Sequence, residues 1–482
     1  MVDARRAGAN MGRSMINWMR RKPMDLESIA PEHRLKRTLS WWHLIALGVG
    51  AIIGTGIYTL IGVGAGMAGP AVIVSFAVAG IVCACTALAY AEVSTLIPAS
   101  GSSYTYSYVA LGEVIAWIVG WSLILEYSLV VSAVAVGWSG YAVSFLNAVG
   151  IHVPAALAAG PHAGGILNVP AVVITGLVTA LMVAGARESA TFNAVLVVIK
   201  IIALVIFAAV ALPHFDPANF HPFAPFGFAA HQVGNAQQGV MAAAAIIFFA
   251  FYGFDAISTA AEEAKNPGRD LPIGIIGSML VCTAIYVVVA AAAVGAMPFA
   301  DFAKSSEPLA LIVRNLAGEK LAAVIAAAAV IALPTVLLGF LYGQTRIFFV
   351  MARDGFLPMS LAKVNPKTGT PARITIITGV LVGALAGFVP LDEIAALANA
   401  GTLLAFVAVG VCLLVLRKTA ADQPRIYRTP QAWIVAPVGI LGCTYLFFSL
   451  SEKTRVFFLV WNAVGLVWYV AQSLIKARAA KA

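Results

Sequence analysis

The sequence predicts an all-α integral membrane protein, a single polytopic bundle of twelve spanning helices. Three observations carry that prediction. Of 482 residues, 61% are hydrophobic and only 11% are charged, an apolar excess that a soluble fold does not need. Several windows exceed the roughly 18 nearly uncharged residues a spanning helix requires. The basic residues are also sorted by side: with the N-terminus in the cytoplasm, 24 of the 30 Lys and Arg lie in cytoplasmic tails and loops. That is the positive-inside bias, and it puts both termini in the cytoplasm of a multi-pass protein of the inner (plasma) membrane.

Taken in order, residues 1–41 form a cytoplasmic tail, in which Met15–Lys22 has the pattern of a short interfacial helix or of a disordered segment. The spans are expected at 42–64, 70–97, 113–147, 168–186, 190–212, 239–261, 272–297, 321–345, 373–389, 394–416, 433–450 and 456–475. The span at 113–147 is long enough to tilt or to continue past the membrane. Between spans 2 and 3, Ile97–Tyr108 reads as an ordered re-entry on the cytoplasmic side. The net charge of +9 belongs to tails facing anionic headgroups rather than to nucleic acid. The first apolar run is too long for a cleaved signal. Five cysteines fall within spans, without metal-ligand spacing or an exposed disulfide position.

Two spans are broken by glycine in the middle: Gly48-Val-Gly-Ala-Ile-Ile-Gly-Thr-Gly56 and Phe248-Phe-Ala-Phe-Tyr-Gly-Phe-Asp255. A helix unwinds inside a bilayer only where the freed backbone faces protein, water or a ligand. Each break opens one half of the bundle, at about 42–212 and 239–417. Five helices per half force the second copy to enter from the opposite side, so the halves read as a 5+5 inverted repeat with broken helices 1 and 6. Two such breaks point to a midplane binding site in a secondary transporter, whose transport core is then 42–417. Residues 418–482 add two accessory helices and a short cytoplasmic tail.

At the first break, the half-helix starting at Gly54, Thr55 and Gly56 offers amide N–H groups to a carboxylate, and the one ending near Ile52 offers carbonyls to an ammonium. The alternative is that these glycines only allow close helix packing. At the second break, Phe249, Ala250 and Tyr252 offer carbonyls. Asp255 reads as a cap of the restarted helix, as a substrate-side contact, or as both. Glu126 is a second intramembrane acid and should face the bundle interior. Lys200 lies mid-span, where an ammonium must find carbonyls or a carboxylate or give up its proton. It reads as a proton-coupling residue tying span 5 to spans 1 and 8 near Thr335, or as a static cation. Glu92 and Glu262 read as inner-gate or anchoring residues, with Arg346 and the Arg353–Asp354 pair as partners. No metal or other cofactor is expected.

The motifs above, with Ala89-Tyr-Ala-Glu92, Pro98, Gly101, Leu125-Glu-Tyr127, Glu262-Glu-Ala-Lys-Asn-Pro267 and Arg346-Ile-Phe-Phe-Val-Met-Ala-Arg-Asp-Gly355, resemble the amino acid–polyamine–organocation (APC) superfamily. The branch they resemble is that of cationic amino acid transporters and their bacterial relatives. The resemblance runs from about Leu39 to Arg478 and implies a LeuT-like fold with alternating access. It implies that a substrate carboxylate meets the Thr55 and Gly56 amides and its α-amino group meets carbonyls of Ile52, Phe249, Ala250 and Tyr252. It further implies that Lys200 replaces a sodium site, that Tyr286 lines the pocket, and that Glu126 and Asp255 lie toward the substrate side chain. A Phe at position 340, where the animal carriers have a small residue, implies a shortened pocket for small or neutral amino acids such as alanine.

The expected partners are therefore an amino acid, protons and the lipid bilayer, with a homo-oligomer or a small membrane protein left open. Transport of arginine or lysine, amino acid exchange, and amino acid sensing stand as alternatives. Rings of like residues or filter loops, which a channel uses, are lacking, as is a nucleophile–base set for an intramembrane enzyme.

Overall fold

A computed structural model of the chain describes residues 20–22, 39–98, 101–184, 190–234, 236–261, 264–358, 360 and 372–479. The expected interfacial helix at 15–22 lies mostly outside them, as does Glu262. Among the described residues, nine helical stretches are long and apolar enough to cross a bilayer, and four shorter apolar helices accompany them.

The first expected span is three helices, α1 (Trp41–Ile52), α2 (Thr55–Tyr58) and α3 (Leu60–Ala68). Helix α4 (Val72–Leu96) follows a 3-10 turn started by Pro70. The re-entry segment folds as α5 (Ser102–Ala110). Helix α6 (Glu113–Ala148) has 36 residues, about 54 Å at 1.5 Å per residue. That is well beyond the ~30 Å hydrocarbon thickness, so it must tilt or project. Helix α7 (Val169–Val183) is capped by Asn168, whose side chain accepts from the Ala171 N–H at 3.1 Å and donates to Ser139 of α6 at 2.8 Å. Helix α8 (Ala190–Ala211) completes the first half.

The second half opens after a small antiparallel hairpin, β1 (His231–Val233) with β2 (Ala236–Gln238), in a loop for which no strand is expected from the sequence. The sixth expected span divides into α9 (Val240–Ile247), a 3-10 turn at Phe248–Phe251, and α10 (Phe254–Thr259). Helix α11 (Pro267–Ala296) starts with proline in its first turn, where a missing N–H costs nothing. The amphipathic α12 (Pro308–Ala317) is not anticipated from hydropathy. The expected span at 321–345 is two helices, α13 (Glu319–Ala332) and α14 (Pro334–Arg353), because Pro334 interrupts the ladder. Helices α15 (Ala372–Phe388), α16 (Leu391–Thr419), α17 (Ala432–Ser449) and α18 (Glu452–Ala479) follow.

Helix α6 runs through the core and packs against α13, α14, α15 and α16. Helix α4 lies along α11, α11 along α1, and α7 along α15. The periphery is apolar: α8 exposes Val195, Val198, Ile202 and Val205, and α18 exposes Phe457, Leu459, Val464 and Val467. Apolar faces of this extent need lipid or protein against them.

The basic end of the bundle is tied by ion pairs at Glu92 and Asp354. Glu92, at the end of α4, takes both guanidinium arms of Arg417 at 2.7 and 2.6 Å, Arg425 at 3.0 Å and the Thr429 N–H at 2.7 Å. Asp354 pairs with Lys22 of the tail at 2.9 Å and accepts from the Tyr104 hydroxyl at 2.9 Å. Of the partners expected for Glu92 and Glu262, the side chains of Arg346 and Arg353, like Glu262 itself, lie outside what the structure describes. The loop between α16 and α17 folds back over Glu92 through Arg425 and Thr429.

Candidate functional site: two broken helices meeting in the core

Both glycine-broken spans are interrupted, and the interruptions touch. Between α1 and α2, Ile53 and Gly54 are extended. Between the 3-10 turn and α10, Tyr252 is extended and Gly253 has φ +112°, a region that disfavours any side chain. A Cβ on Gly253 would lie 2.7 Å from the Ala51 carbonyl carbon and 2.9 Å from the Ile52 nitrogen, while one on Gly56 would collide with the Ala250 backbone. Glycine at these two positions is what lets the two backbones meet.

Each break leaves helix-end groups that need partners. At the first, the Ile52 carbonyl accepts from the Tyr286 hydroxyl of α11 at 2.8 Å. The Gly50 carbonyl accepts from Lys200 Nζ of α8 at 2.7 Å. Lys200 also donates to Thr335 Oγ1 at 3.0 Å. Thr335 is the residue after Pro334, so the helix interruption at α13–α14 delivers this acceptor. Lys200 is fully buried. On the far side of the break, Thr55 and Gly56 open a helical segment whose first N–H groups have no intrahelical acceptor. The buried Thr55 hydroxyl has no hydrogen-bond partner among the described residues, and it packs on Gly137 of α6.

At the second break, Asp255 Oδ1 accepts from the Gly253 N–H at 3.2 Å, and Oδ2 accepts from the Tyr127 hydroxyl of α6 at 3.3 Å. The Tyr127 ring lies 5.4 Å, centroid to centroid, from that of Phe340 of α14. Asp255, Tyr127 and Phe340 therefore form one wall. Glu126, the residue before Tyr127, lies toward α16: its Cβ abuts the Gly401 position, and its Oε2 has no hydrogen-bond partner among the described residues. The Phe249 ring lies 5.0 Å from that of Tyr252, tilted by 43°. Ile52, Thr55, Lys200, Glu126, Phe249, Ala250, Tyr252, Asp255, Tyr286 and Phe340 are each no more than 5% exposed, so the centre of the bundle is closed.

Two features of this centre lie beyond the sequence reading. Tyr286, expected to line a pocket, donates to the Ile52 carbonyl, which leaves that oxygen its second lone pair. Asn399 of α16 is fully buried and bonds the second broken span at three places: the carbonyls of Ala245 at 2.6 Å and Ile246 at 3.0 Å, and the Tyr252 hydroxyl. The available signal was a lone amide in an otherwise apolar span.

Comparison with known proteins fits this architecture. The amino acid permease family matches residues 39–472. The chain is 48% identical to the branched-chain amino acid permease BcaP of Bacillus subtilis (strain 168), over 92% of this chain and 94% of the relative. It is 42% identical to the methylthioribose transporter of the same organism, over 95% and 98% respectively. It is 36% identical to the vacuolar cationic amino acid transporter 4 of Arabidopsis thaliana, over 85% of this chain and 68% of that relative. With two interrupted spans meeting in a helical membrane bundle and a family match over most of its length, the chain belongs to the amino acid permeases of the APC superfamily, as a bacterial-type permease akin to the cationic amino acid transporters.

Proposed function

We propose that the chain is a secondary active amino acid permease of the inner (plasma) membrane, working by alternating access on a LeuT-like fold. Its core is two inverted five-helix repeats, about 42–212 and 239–417, with α17 and α18 as accessory spans and the basic end in the cytoplasm. The packing of α4 on α11, α6 on α14 and α7 on α15 supports this repeat, since each pair joins matching positions of the two halves. The observation that carries the function is the backbone contact of the two breaks at Gly56 with Ala250 and at Gly253 with Ala51 and Ile52.

In this reading the substrate carboxylate meets Gly54, Thr55 and Gly56, aided by the unpartnered Thr55 hydroxyl. The α-ammonium meets carbonyls of Ile52, Phe249, Ala250 and Tyr252. Lys200 holds the place of a sodium ion and makes transport proton-linked and sodium-independent. Phe340 on Tyr127 shortens the side-chain pocket, which favours small or neutral amino acids such as alanine. The naming of a relative as a branched-chain permease supports a neutral substrate.

A second reading, a carrier of arginine or lysine, is favoured by the unpartnered Glu126 carboxylate oxygen beside a site that already holds Asp255. Uptake of twenty labelled amino acids into proteoliposomes, with and without a pH gradient and with sodium replaced by potassium, separates the two. Alanine or branched-chain uptake driven by the gradient without sodium is expected. Sodium dependence, or arginine outcompeting alanine, overturns the first reading. Phe340→Ser is expected to shift preference toward larger side chains. Counterflow in the same vesicles distinguishes symport from exchange.

A further inference from the structure

We infer that Asn399 is a positioning residue that keeps the second break in its ammonium-accepting form. The inference rests on the amino acid site proposed above and concerns how that site is held open.

In a continuous α-helix, the carbonyls of Ala245 and Ile246 accept from the amides of Phe249 and Ala250. Here the Asn399 amide nitrogen lies within hydrogen-bond distance of both carbonyls, at 2.6 and 3.0 Å. The chain tightens to a 3-10 turn at the following residues, Phe248–Phe251. The orientation of the amide is set by its surroundings: carbonyls only accept, so the NH2 group faces them and Oδ1 is left for the Tyr252 hydroxyl. The three contacts bracket the turn whose Phe249, Ala250 and Tyr252 carbonyls are assigned to the ammonium.

Away from water, a carbonyl without a partner costs a few kcal/mol, about as much as the helix gains by continuing. Asn399 removes that incentive. It supplies two donors in place of two backbone amides, and it pins the Tyr252 side chain, which fixes the extended Tyr252 backbone before Gly253. Helix α16 can hold the amide in place because it is clamped on both sides of the break: the Phe406 ring lies 5.6 Å from Phe248 and 5.0 Å from Phe254. The geometry specifies an amide. Aspartate has no donor for the carbonyls, and serine has only one. A residue acting in this way tunes recognition of the ammonium and leaves recognition of the carboxylate, at Thr55 and Gly56, unchanged.

The test compares inhibition of labelled L-alanine uptake by L-alanine and by L-lactate, its hydroxy analogue, in proteoliposomes of the full chain. The ratio of the two inhibition constants measures discrimination for the ammonium. Asn399→Ala and Asn399→Asp are each expected to shrink that ratio tenfold or more, mainly by weakening alanine. Tyr252→Phe preserves the carbonyl bonds and the packing, so it keeps the test open if the Asn399 variants fold poorly. It is expected to shrink the ratio by a smaller factor, and combining it with Asn399→Ala should add little. A general structural role weakens both ligands equally, so an unchanged ratio in Asn399→Asp and Tyr252→Phe overturns the inference while the amino acid site stands. Wild-type protein that takes up no amino acid overturns both.

Discussion

The two broken helices solve one problem with different chemistry. At the first break the freed carbonyls are held by donors from distant helices, the Tyr286 hydroxyl on Ile52 and the Lys200 ammonium on Gly50. Among the described residues no acid contributes, and the restarted segment keeps open amides and an unpartnered Thr55 hydroxyl. At the second break the donors are a neutral amide, Asn399, while an acid two residues beyond Gly253 closes its own turn through the Gly253 N–H. The difference teaches that charge is divided between the breaks. A cation, Lys200, secures the break where the proposed function puts the substrate carboxylate, and an anion, Asp255, caps the break that it gives three of the four carbonyls facing the ammonium. A helix end in lipid must be paired, and the group chosen to pair it also sets the local potential a zwitterion meets.

The comparison can be broken most directly at the backbone contact. Gly253→Val forces a side chain into the Ala51–Ile52 backbone at a positive φ, so uptake is expected to fall below about 1% of wild type, with protein still reaching the membrane fraction. Uptake near the wild-type rate would falsify the close meeting of the two breaks.

Next in size is Lys200→Ala, which strips the Gly50 carbonyl and Thr335 of a buried donor. Gradient-driven uptake is expected to drop by roughly 10- to 100-fold, and the residual uptake should no longer respond to an imposed pH gradient. A variant that still responds to the gradient would leave Lys200 as a static brace.

Tyr286→Phe removes a single hydrogen bond from Ile52. Half-saturation for alanine should rise about fivefold, the equivalent of roughly 1 kcal/mol, with little change in maximal rate. A fall in maximal rate alone would argue that Tyr286 acts on the transport cycle instead of on the site.

The smallest structural effect is expected from Thr55→Val. Its hydroxyl satisfies nothing in the closed protein, so thermal stability should be unchanged within about 0.5 kcal/mol or slightly improved. Affinity for alanine should nonetheless fall severalfold. Equal affinity would remove this hydroxyl from the carboxylate side.

The lone ionisable residues were legible because a bilayer penalises charge, and the glycines because they cluster where a span is interrupted. Gly54, Gly56, Gly253, Lys200, Asp255 and Glu126 stand out against apolar runs by composition alone. Asn399 stood out less, since an amide in a span is less costly than a charge, and only its contacts reveal three bonds to one broken segment. Hydropathy misses α12, whose amphipathic pattern does not make a span. It also runs through Pro334 and so merges α13 with α14. The pairing of Glu92 with Arg417 and Arg425 was out of reach for another reason. Charge counting places basic residues on one side of the membrane but does not say which loop folds over which helix end.

The chain by itself thus determines that it crosses the membrane many times, which side is basic, and where two of its helices must open. These follow from the free energy of moving residues and peptide groups into hydrocarbon, a local quantity that each segment carries with it. Tertiary structure alone decides which partner satisfies each opened group: Tyr286 for Ile52, Lys200 for Gly50, Asn399 for Ala245 and Ile246. Those pairings join residues from 150 to 234 positions apart. Packing of whole helices brings them together, and no local pattern encodes that arrangement.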